Sequence, residues 1–275
     1  IIVAAILIIR NVIELHITGA VHPDRDIFYY GNLLKEIKSI RPLLHVKAYS
    51  AVELDYMITK SGMNFTEGLS YLKSCGLDSI PGGGAEIFDE HIRKEICGMK
   101  STAATWLEIH ETAHRLGIPS NATMLYGHVE NYRQRIDHLE RLRQLQDRTG
   151  GFNAFIPLKF RNSNNAMSQI AEVSVVEDMK MYAIARIYLD NFPHIQGSWL
   201  TQGKTVGQLS LCFGADDLGS IMLEENVLRA AGCENQIDLA EMINLIRQTG
   251  KIPAQRDTEY AILKIHQQPK AASEA

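Results

Sequence analysis

The chain has 275 residues, of which 45% are hydrophobic and 22% are charged, and its formal net charge is −4. This composition is typical of a globular protein with one large domain or two small ones. Lysine and arginine are spread along the chain rather than clustered, so we expect no nucleic-acid partner. The opening "IIVAAILII" is too short to span a bilayer and lacks the features of a signal peptide. We therefore expect a cytoplasmic protein without a membrane partner.

The four cysteines, Cys75, Cys97, Cys212 and Cys233, are far apart and show no metal-ligand spacing. We expect reduced thiols and no metal ligand among them. The chain also starts with an apolar stretch and without methionine, so we expect a fragment that begins inside a helix.

Seven short segments have the near-continuous apolar character of parallel strands that are buried on both faces. They are residues 14–19, 45–50, 78–83, 120–125, 153–158, 195–200 and 209–214. Amphipathic helical stretches lie between most of them, and two of these stretches end in glycine, which is a C-cap signal. The alternation predicts an α/β fold with a parallel sheet, either open or closed into a barrel. A (β/α)8 barrel needs eight strands, so the missing strand would be the first.

Polar residues follow every one of these predicted strands. In both architectures the site lies at the carboxyl ends of the strands. A solvated strand end is an equally good interpretation for any one residue, but it is weaker for seven consecutive strand ends. The residues singled out as substrate-binding candidates at these ends are Glu53, His128, Lys159, Arg161, Thr201 and Gln202.

Three consecutive glycines, Gly82–Gly84, lie at the end of the third predicted strand, with Glu86 two residues further on. Glycine weakens regular structure, so this run indicates positive φ angles or a close approach of the backbone to a ligand. The spacing fits neither a P-loop nor a dinucleotide-binding fingerprint, and a plain tight turn remains the alternative. A carboxylate at Glu86 favours a ligand with hydroxyl or amine groups.

Several long segments follow one another in an order that resembles one enzyme family. They are "HITGAVHPD", "HVKAYSAVE", "LDSIPGGGAEIF", "TAHRLGIPSNATMLYGHVE", "LRQLQDRTGGFNAFIPLKF" and "FGADDLGSIMLEEN". Together they resemble the radical S-adenosylmethionine (SAM) enzymes of the futalosine route to menaquinone. The resemblance covers about Glu14 to Tyr260 and implies a (β/α)8 TIM-type radical SAM barrel. We expect one such domain over residues 1–275, with a C-terminal helical extension at about 220–275.

The family carries a 4Fe-4S cluster on a Cys-x3-Cys-x2-Cys loop after its first strand. No such spacing occurs in this chain, so the cluster ligands cannot be assigned to any residue. The resemblance therefore implies an N-terminally truncated chain that lacks the first strand and the cluster loop. In the full-length protein it implies the cluster and SAM as cofactors, a small-molecule substrate, and a reductant such as flavodoxin or ferredoxin.

The resemblance also implies roles for individual residues. Gly19 and Ala20 would receive the methionine end of SAM on a backbone edge, although the family often has two glycines there. Gly82–Gly84 and Glu86 would lie near the adenosyl group or the substrate. Lys159, Arg161 and His128 would supply a cation to the benzoate carboxylate that both substrates of the route carry.

Two activities exist in the futalosine route, and the sequence resembles both. "SNATMLYGH", "FIPLKFRNSNN", "VVEDMKMYAIARIYLDNFPHI" and "GADDL" are similar to aminofutalosine synthase, which adds the 5′-deoxyadenosyl radical to a carboxyvinyloxy-benzoate. "GSWLTQGKTVGQ", "GSIMLEENVLRAAG" and "PAQRDTEY" are closer to dehypoxanthine futalosine cyclase. The middle of the barrel favours the synthase. A non-radical barrel enzyme and an inactive nucleoside-binding barrel remain the alternatives outside the family.

Overall fold

A computed structural model describes residues 12–19, 21–221 and 235–267 of the chain. Its strands are β1 (Glu14–Ile17), β2 (His45–Ala48), β3 (Ser120–Tyr126), β4 (Phe152–Lys159), β5 (His194–Ile195), β6 (Ala254–Arg256) and β7 (Ile262–Ile265). Its longer helices are α1 (Ile27–Ile40), α2 (Ala51–Lys60), α3 (Phe65–Cys75), α4 (Glu90–Cys97), α5 (Ala103–Arg115), α6 (Tyr132–Thr149), α7 (Val175–Tyr188) and α10 (Leu239–Gln248). Two short helices, α8 (Trp199–Gln202) and α9 (Lys204–Ser210), follow β5.

Seven strand positions pair in chain order within the described residues, and every pair is parallel. β1 pairs with β2, and β4 lies between β3 and β5. Single bridges complete the series, because Lys47 pairs with Ser79, Ile80 with Ser120, and Gln196 with Asp217. Helices connect the strands, as parallel pairing requires. This is the α/β barrel arrangement that the strand–helix alternation predicts.

Local sequence signals explain where the elements begin and end, and α6 is the clearest example. Asn131 caps its start by accepting from the Gln134 backbone N–H, and Gly150 ends it in a left-handed conformation with φ +62°. Leu139, Leu142 and Leu145 recur at helical spacing and are completely buried. The apolar stripe therefore packs this helix onto the sheet.

The main core lies between the strands and the helices. Alternate residues of β3 point to opposite faces, and Ala122, Met124 and Tyr126 share the face that packs against the helices. The opposite face of the sheet carries polar side chains. On it, Lys47 Nζ lies 3.0 Å from Glu14 Oε1, and His45 Nε2 lies 2.7 Å from Ser79 Oγ.

The described part of the predicted C-terminal extension contains α10 and an antiparallel hairpin of β6 and β7. The hairpin contacts both ends of the parallel series. Thr258 donates to Glu14 Oε2 over 2.6 Å at β1, and Arg256 pairs with Asp217 over 2.5 Å at the seventh strand position. The C-terminal segment thus links the two outermost strand positions that the structure describes.

One predicted strand is wrong, and two are much shorter than predicted. Residues 209–214 belong to the end of α9 and the turn after it, and Gly207 of this helix packs closely onto Trp199. A short apolar run does not by itself distinguish a strand from a buried helix. The segment 78–83 makes only single bridges at Ser79 and Ile80. The segment 195–200 keeps only the end of β5 before α8 begins.

Among the described residues, no helix combines the length and the apolar character that crossing a membrane requires.

Candidate functional site

The end of β1 and the start of α2 meet at Glu53. Ser50 and Glu53 form a capping box, in which Glu53 Oε2 accepts from the Ser50 backbone N–H over 2.8 Å. The second oxygen, Oε1, accepts from the Gly19 N–H over 3.0 Å. Burial raises the pKa of Glu53, although the hydrogen bonds from Ser50 and Gly19 act in the opposite direction. Glu53 therefore ties two strand ends together, and both of its oxygens already have partners.

The triple glycine lies beside this junction, and its members differ in what they need. A Cβ on Gly82 would lie 2.7 Å from the Asn121 carbonyl oxygen, and Gly84 has φ +84° and faces Val52. Both are required by the fold itself. Among the described residues, a Cβ on Gly83 would meet only Ser50 Cβ at 3.7 Å, and one on Gly19 would meet nothing within 4 Å. Open space therefore lies beside the backbone at Gly19 and Gly83.

Glu86 has an unusual backbone conformation for a residue with a side chain. Its φ is +45°, in the left-handed region that normally favours glycine. Its carbonyl oxygen accepts from the Leu125 N–H over 2.7 Å, which fixes the loop against the carboxyl end of β3. Its carboxylate lies 2.5 Å from Lys100 Nζ. Strained residues of this kind cluster at ligand sites, which supports a functional role for the loop.

Arg93 of α4 donates hydrogen bonds to the backbone of this loop. The residue is 3% exposed, and its guanidinium donates to the carbonyl oxygens of Ala85 (2.5 Å), Ile87 (3.2 Å) and Gly84 (3.3 Å). It also donates to the Ser101 carbonyl oxygen. Sequence reasoning missed this residue, because one arginine in the charged helix "EHIRKEIC" has no distinguishing pattern.

A second polar group lies between β3, β4 and α7. Lys159 Nζ is 3.2 Å from Asp178 Oδ2, and Tyr126 donates to Asp178 Oδ1 over 2.7 Å. Gln202 Nε2 donates to the Tyr126 hydroxyl over 3.0 Å, and Tyr182 donates to Gln202 Oε1 over 2.6 Å. Burial raises the pKa of Tyr126 and of Tyr182, so both stay protonated donors. Lys159 thus lies on the helix-facing side of the sheet with its charge already balanced.

The other substrate candidates have partners of their own. Nε2 of the enclosed His128 side chain lies 3.1 Å from the Leu125 carbonyl oxygen, and Nδ1 lies 3.2 Å from Glu130 Oε2. Burial lowers the pKa of His128, which favours the neutral ring. Thr201 donates to Ser198 Oγ over 2.7 Å.

Arg161 resembles His128, whose Nδ1 makes no hydrogen bond to a described residue, in having a buried nitrogen without such a bond, but its ion pair is more exposed. Its NH1 lies 3.1 Å from Glu172 Oε2, and this pair is partly exposed, with 34% and 24% of the side-chain surfaces accessible. Its Nε is buried and makes no hydrogen bond to any described residue.

The structure therefore divides the predicted site residues into separate groups. Gly19, Glu53 and Gly82–Gly84 come together around the start of α2, with Glu86 at the end of the same loop. Lys159 and Gln202 join through Tyr126, while Arg161 and His128 keep separate partners. Ala20 lies outside the described residues.

Two family models together match most of the chain. The radical SAM superfamily model matches residues 2–142, and the CofH/MqnC C-terminal region matches residues 149–269. The chain belongs to the radical SAM superfamily. Members of this superfamily are enzymes that use a 4Fe-4S cluster and SAM. The (β/α)8 assignment and the recognition of the futalosine-route family are thereby confirmed.

Curated relatives with different activities are similar to this chain. Cyclic dehypoxanthine futalosine synthase of Streptomyces coelicolor is 47% identical over 91% of the chain and 63% of its own length. Aminodeoxyfutalosine synthase of Thermus thermophilus is 42% identical over 92% of the chain and 69% of its own length. A 5-amino-6-(D-ribitylamino)uracil–L-tyrosine 4-hydroxyphenyl transferase of Methanopyrus kandleri is 40% identical over 92% of the chain and 70% of its own length. The chain thus spans about two thirds of these relatives.

Solved structures support the fold. Methylornithine synthase (PylB) aligns with a TM-score of 0.63 at 15% identity, covering 84% of this chain and 64% of that one. HydG, a maturase of the [FeFe]-hydrogenase, aligns with a TM-score of 0.65 at 16% identity, covering 88% of this chain and 54% of that one. At these identities the likeness concerns the fold alone.

The residues fit the two family cofactors unequally. Among the described residues, Gly19 and Gly83 leave space beside the backbone, which is compatible with a ligand such as SAM. The cluster has no such match. The described residues contain no group of three His, Cys, Asp or Glu side chains placed to hold a metal, and Cys75, Cys97 and Cys212 are free thiols. The described part of this chain therefore does not supply the cluster ligands.

Proposed function

We propose that this chain is the barrel of an aminodeoxyfutalosine synthase of menaquinone biosynthesis. The reaction joins the adenosyl carbon of SAM to the enol-ether carbon of 3-(1-carboxyvinyloxy)benzoate, with loss of methionine and of the enol-ether carboxylate. The supporting observation is the location of the synthase-like segments, which build the carboxyl ends of β3 and β4 and the start of α7. Tyr126, Lys159 and Asp178 form their buried network there.

SAM binds at the junction of β1, α2 and the glycine loop. Gly19 and Gly83 have no side chain, so atoms of SAM can lie directly against the protein backbone there. Glu86 accepts hydrogen bonds from the hydroxyl or amine groups of SAM. Glu53 positions the Gly19 N–H through Oε1 and caps α2 through Oε2 and Ser50.

Arg161 binds the benzoate carboxylate. Its Nε is a buried donor without a partner among the described residues, and its ion pair with Glu172 is accessible enough to open. Lys159 is less suited to this task, because its ion pair with Asp178 is almost completely enclosed. Lys159 instead fixes the neighbouring wall of the site together with Tyr126 and Gln202.

Residues 1–275 form a single domain of an enzyme that acts in the cytoplasm, with a reductant such as flavodoxin or ferredoxin and without a membrane or nucleic-acid partner. A second candidate activity is the cyclisation of dehypoxanthine futalosine, which abstracts hydrogen from a ribose carbon. It is favoured by the 47% identity to the Streptomyces coelicolor relative.

The fate of the adenosyl group tests the proposal. The product of the complete reading frame is reconstituted without oxygen and incubated with SAM, a reductant and the carboxyvinyloxy-benzoate. Mass-detected chromatography should show an adenine-containing adduct, without 5′-deoxyadenosine accumulating in step with turnover. Stoichiometric 5′-deoxyadenosine and an adenine-free cyclised product from dehypoxanthine futalosine would establish the cyclase instead.

The Arg161→Gln variant tests the carboxylate contact. Losing a charge-assisted hydrogen bond costs about 1.5–3 kcal/mol, so KM for the benzoate should rise by roughly tenfold or more while the affinity for SAM is kept. Arg143→Gln removes a surface ion pair to Asp190 and serves as the matched control, with an unchanged KM. Equal KM values for the wild type, Arg161→Gln and Arg143→Gln would show that another residue binds the benzoate carboxylate.

A further inference from the structure

Arg93 contacts the backbone on both sides of the strained residue Glu86. One nitrogen, NH1, donates to the carbonyl oxygens of Ala85 and Ile87, which flank Glu86 in sequence. The Ala85 carbonyl belongs to the peptide plane that sets φ of Glu86. A single donor shared by these two carbonyls therefore restrains the turn that places Glu86 at φ +45°.

The same guanidinium also fixes the partner of the Glu86 carboxylate. NH2 donates to the Ser101 carbonyl oxygen, next to Lys100, whose Nζ lies 2.5 Å from Glu86 Oε1. Ser101 Oγ in turn donates to Asp55 Oδ2 over 2.6 Å, which attaches this segment to α2. Both members of the Glu86–Lys100 ion pair are thus held by one buried side chain.

We propose that Arg93 is a positioning residue that holds Glu86 and the glycine loop in the shape that binds the adenosyl end of SAM. The inference rests on the proposed role of residues 82–86 in binding SAM. Arginine suits this task because its planar guanidinium presents several donors in a fixed fork, whereas a lysine ammonium is a point charge. A left-handed non-glycine residue persists only where its surroundings determine it, and Arg93 provides that restraint.

The test compares Arg93→Lys and Arg93→Ala with Arg186→Ala. Arg186 is a matched control because it also fixes a loop through carbonyls, those of Gly214 and Phe192, but in a different part of the fold. Two quantities are measured on the product of the complete reading frame with its reconstituted cluster. They are the dissociation constant of radiolabelled SAM by equilibrium dialysis, and hydrogen exchange of peptides covering residues 82–88 and the Leu125 amide.

We expect both Arg93 variants to weaken SAM binding by about tenfold or more and to accelerate exchange in the loop and at Leu125. Guanidinium ion, added well below denaturing concentrations, should restore the affinity of Arg93→Ala. Arg186→Ala should keep the affinity for SAM and the slow exchange of the loop. Only a positioning role predicts both the rescue and the difference between the two arginines.

Unchanged SAM affinity and unchanged exchange in a folded Arg93 variant would overturn the inference. So would a loss of affinity that guanidinium does not restore and that Arg186→Ala reproduces, because it would reflect general destabilisation. If Arg93→Ala fails to fold, the SAM affinity and the hydrogen exchange of Arg93→Lys test the inference instead. If the wild-type protein binds no SAM, the proposed function fails, and the exchange data still decide whether Arg93 fixes the loop.

Discussion

Asp178 is a buried carboxylate that connects α7 with the ends of β3 and β4. The residue is 0% exposed, and it accepts hydrogen bonds from the Tyr126 hydroxyl and from Lys159 Nζ. The Lys159 side chain is only 9% exposed. A cation so deep in the protein is stable only while its carboxylate remains, since each charge compensates the other.

Asp178→Asn should therefore destabilise the fold by about 3–5 kcal/mol, because it leaves the Lys159 charge uncompensated. Urea unfolding measures the effect. Adding Lys159→Met to this variant should recover part of the loss, since it removes the uncompensated charge. Asp190→Asn, at an accessible ion pair with Arg143, is the control and should have a much smaller effect. Equal stability of Asp178→Asn and the wild type would contradict this account.

At the scale of elements, the glycine loop combines two different requirements in consecutive residues. Gly82 lies against the backbone of β3, where any side chain would overlap the Asn121 carbonyl oxygen. Gly83 meets only ordinary contacts, so packing alone does not require glycine there. Gly82 is therefore required by packing, whereas Gly83 is not, and its lack of a side chain leaves space for a ligand.

Gly83→Ala should consequently keep the stability of the protein within about 1 kcal/mol while weakening SAM binding, because the added methyl group occupies the space beside the backbone. Gly82→Ala should lower the stability by more than this, because the strands must separate. Thermal unfolding and SAM dialysis of the two variants provide the comparison. Wild-type affinity for SAM in Gly83→Ala would remove Gly83 from the binding site.

At the scale of the whole molecule, buried imidazoles set the response of stability to acid. Burial lowers the pKa of His138 to about 3 and that of His114 to about 4. In the unfolded chain these rings bind a proton near pH 6.5, whereas the folded protein keeps them neutral. Their stabilising contribution is therefore complete above about pH 6.5 and is lost as the pH falls below it.

We expect the free energy of unfolding to fall steadily between pH 6.5 and pH 5. One histidine contributes about 2 kcal/mol over this interval. His138→Gln can still donate to the Thr123 carbonyl oxygen, which His138 Nε2 contacts at 3.0 Å, but it cannot titrate. The variant should reduce the loss by about that amount in urea titrations. His91→Gln, at an exposed position of α4, should leave the pH dependence unchanged. An identical pH slope in His138→Gln would place the acid sensitivity elsewhere.

Local patterns in the sequence determined most of the secondary structure. β3 and β4 lie within one residue of their predicted bounds, because continuous apolar runs of this length between helices suit strands buried on both faces. α6 follows from its leucine spacing, its Asn131 cap and its Gly150 end. The family motifs also lie in the sequence itself, so the radical SAM assignment did not depend on the structure.

Only the tertiary structure decided which polar residues act together. Lys159 was expected to follow a strand, but it is the last residue of β4, and its register beside Tyr126 turns it toward α7 and Asp178. The role of Arg93 is evident only in the folded chain, where one guanidinium donates to carbonyl oxygens beside Glu86 and to the Ser101 carbonyl oxygen. The segment 209–214 ends α9 and forms the turn after it instead of a strand, and Gly207 of this helix packs closely against Trp199. Each outcome depends on contacts between residues distant in sequence or on the face of the sheet to which the strand register turns a side chain. The local sequence pattern contains no information about either.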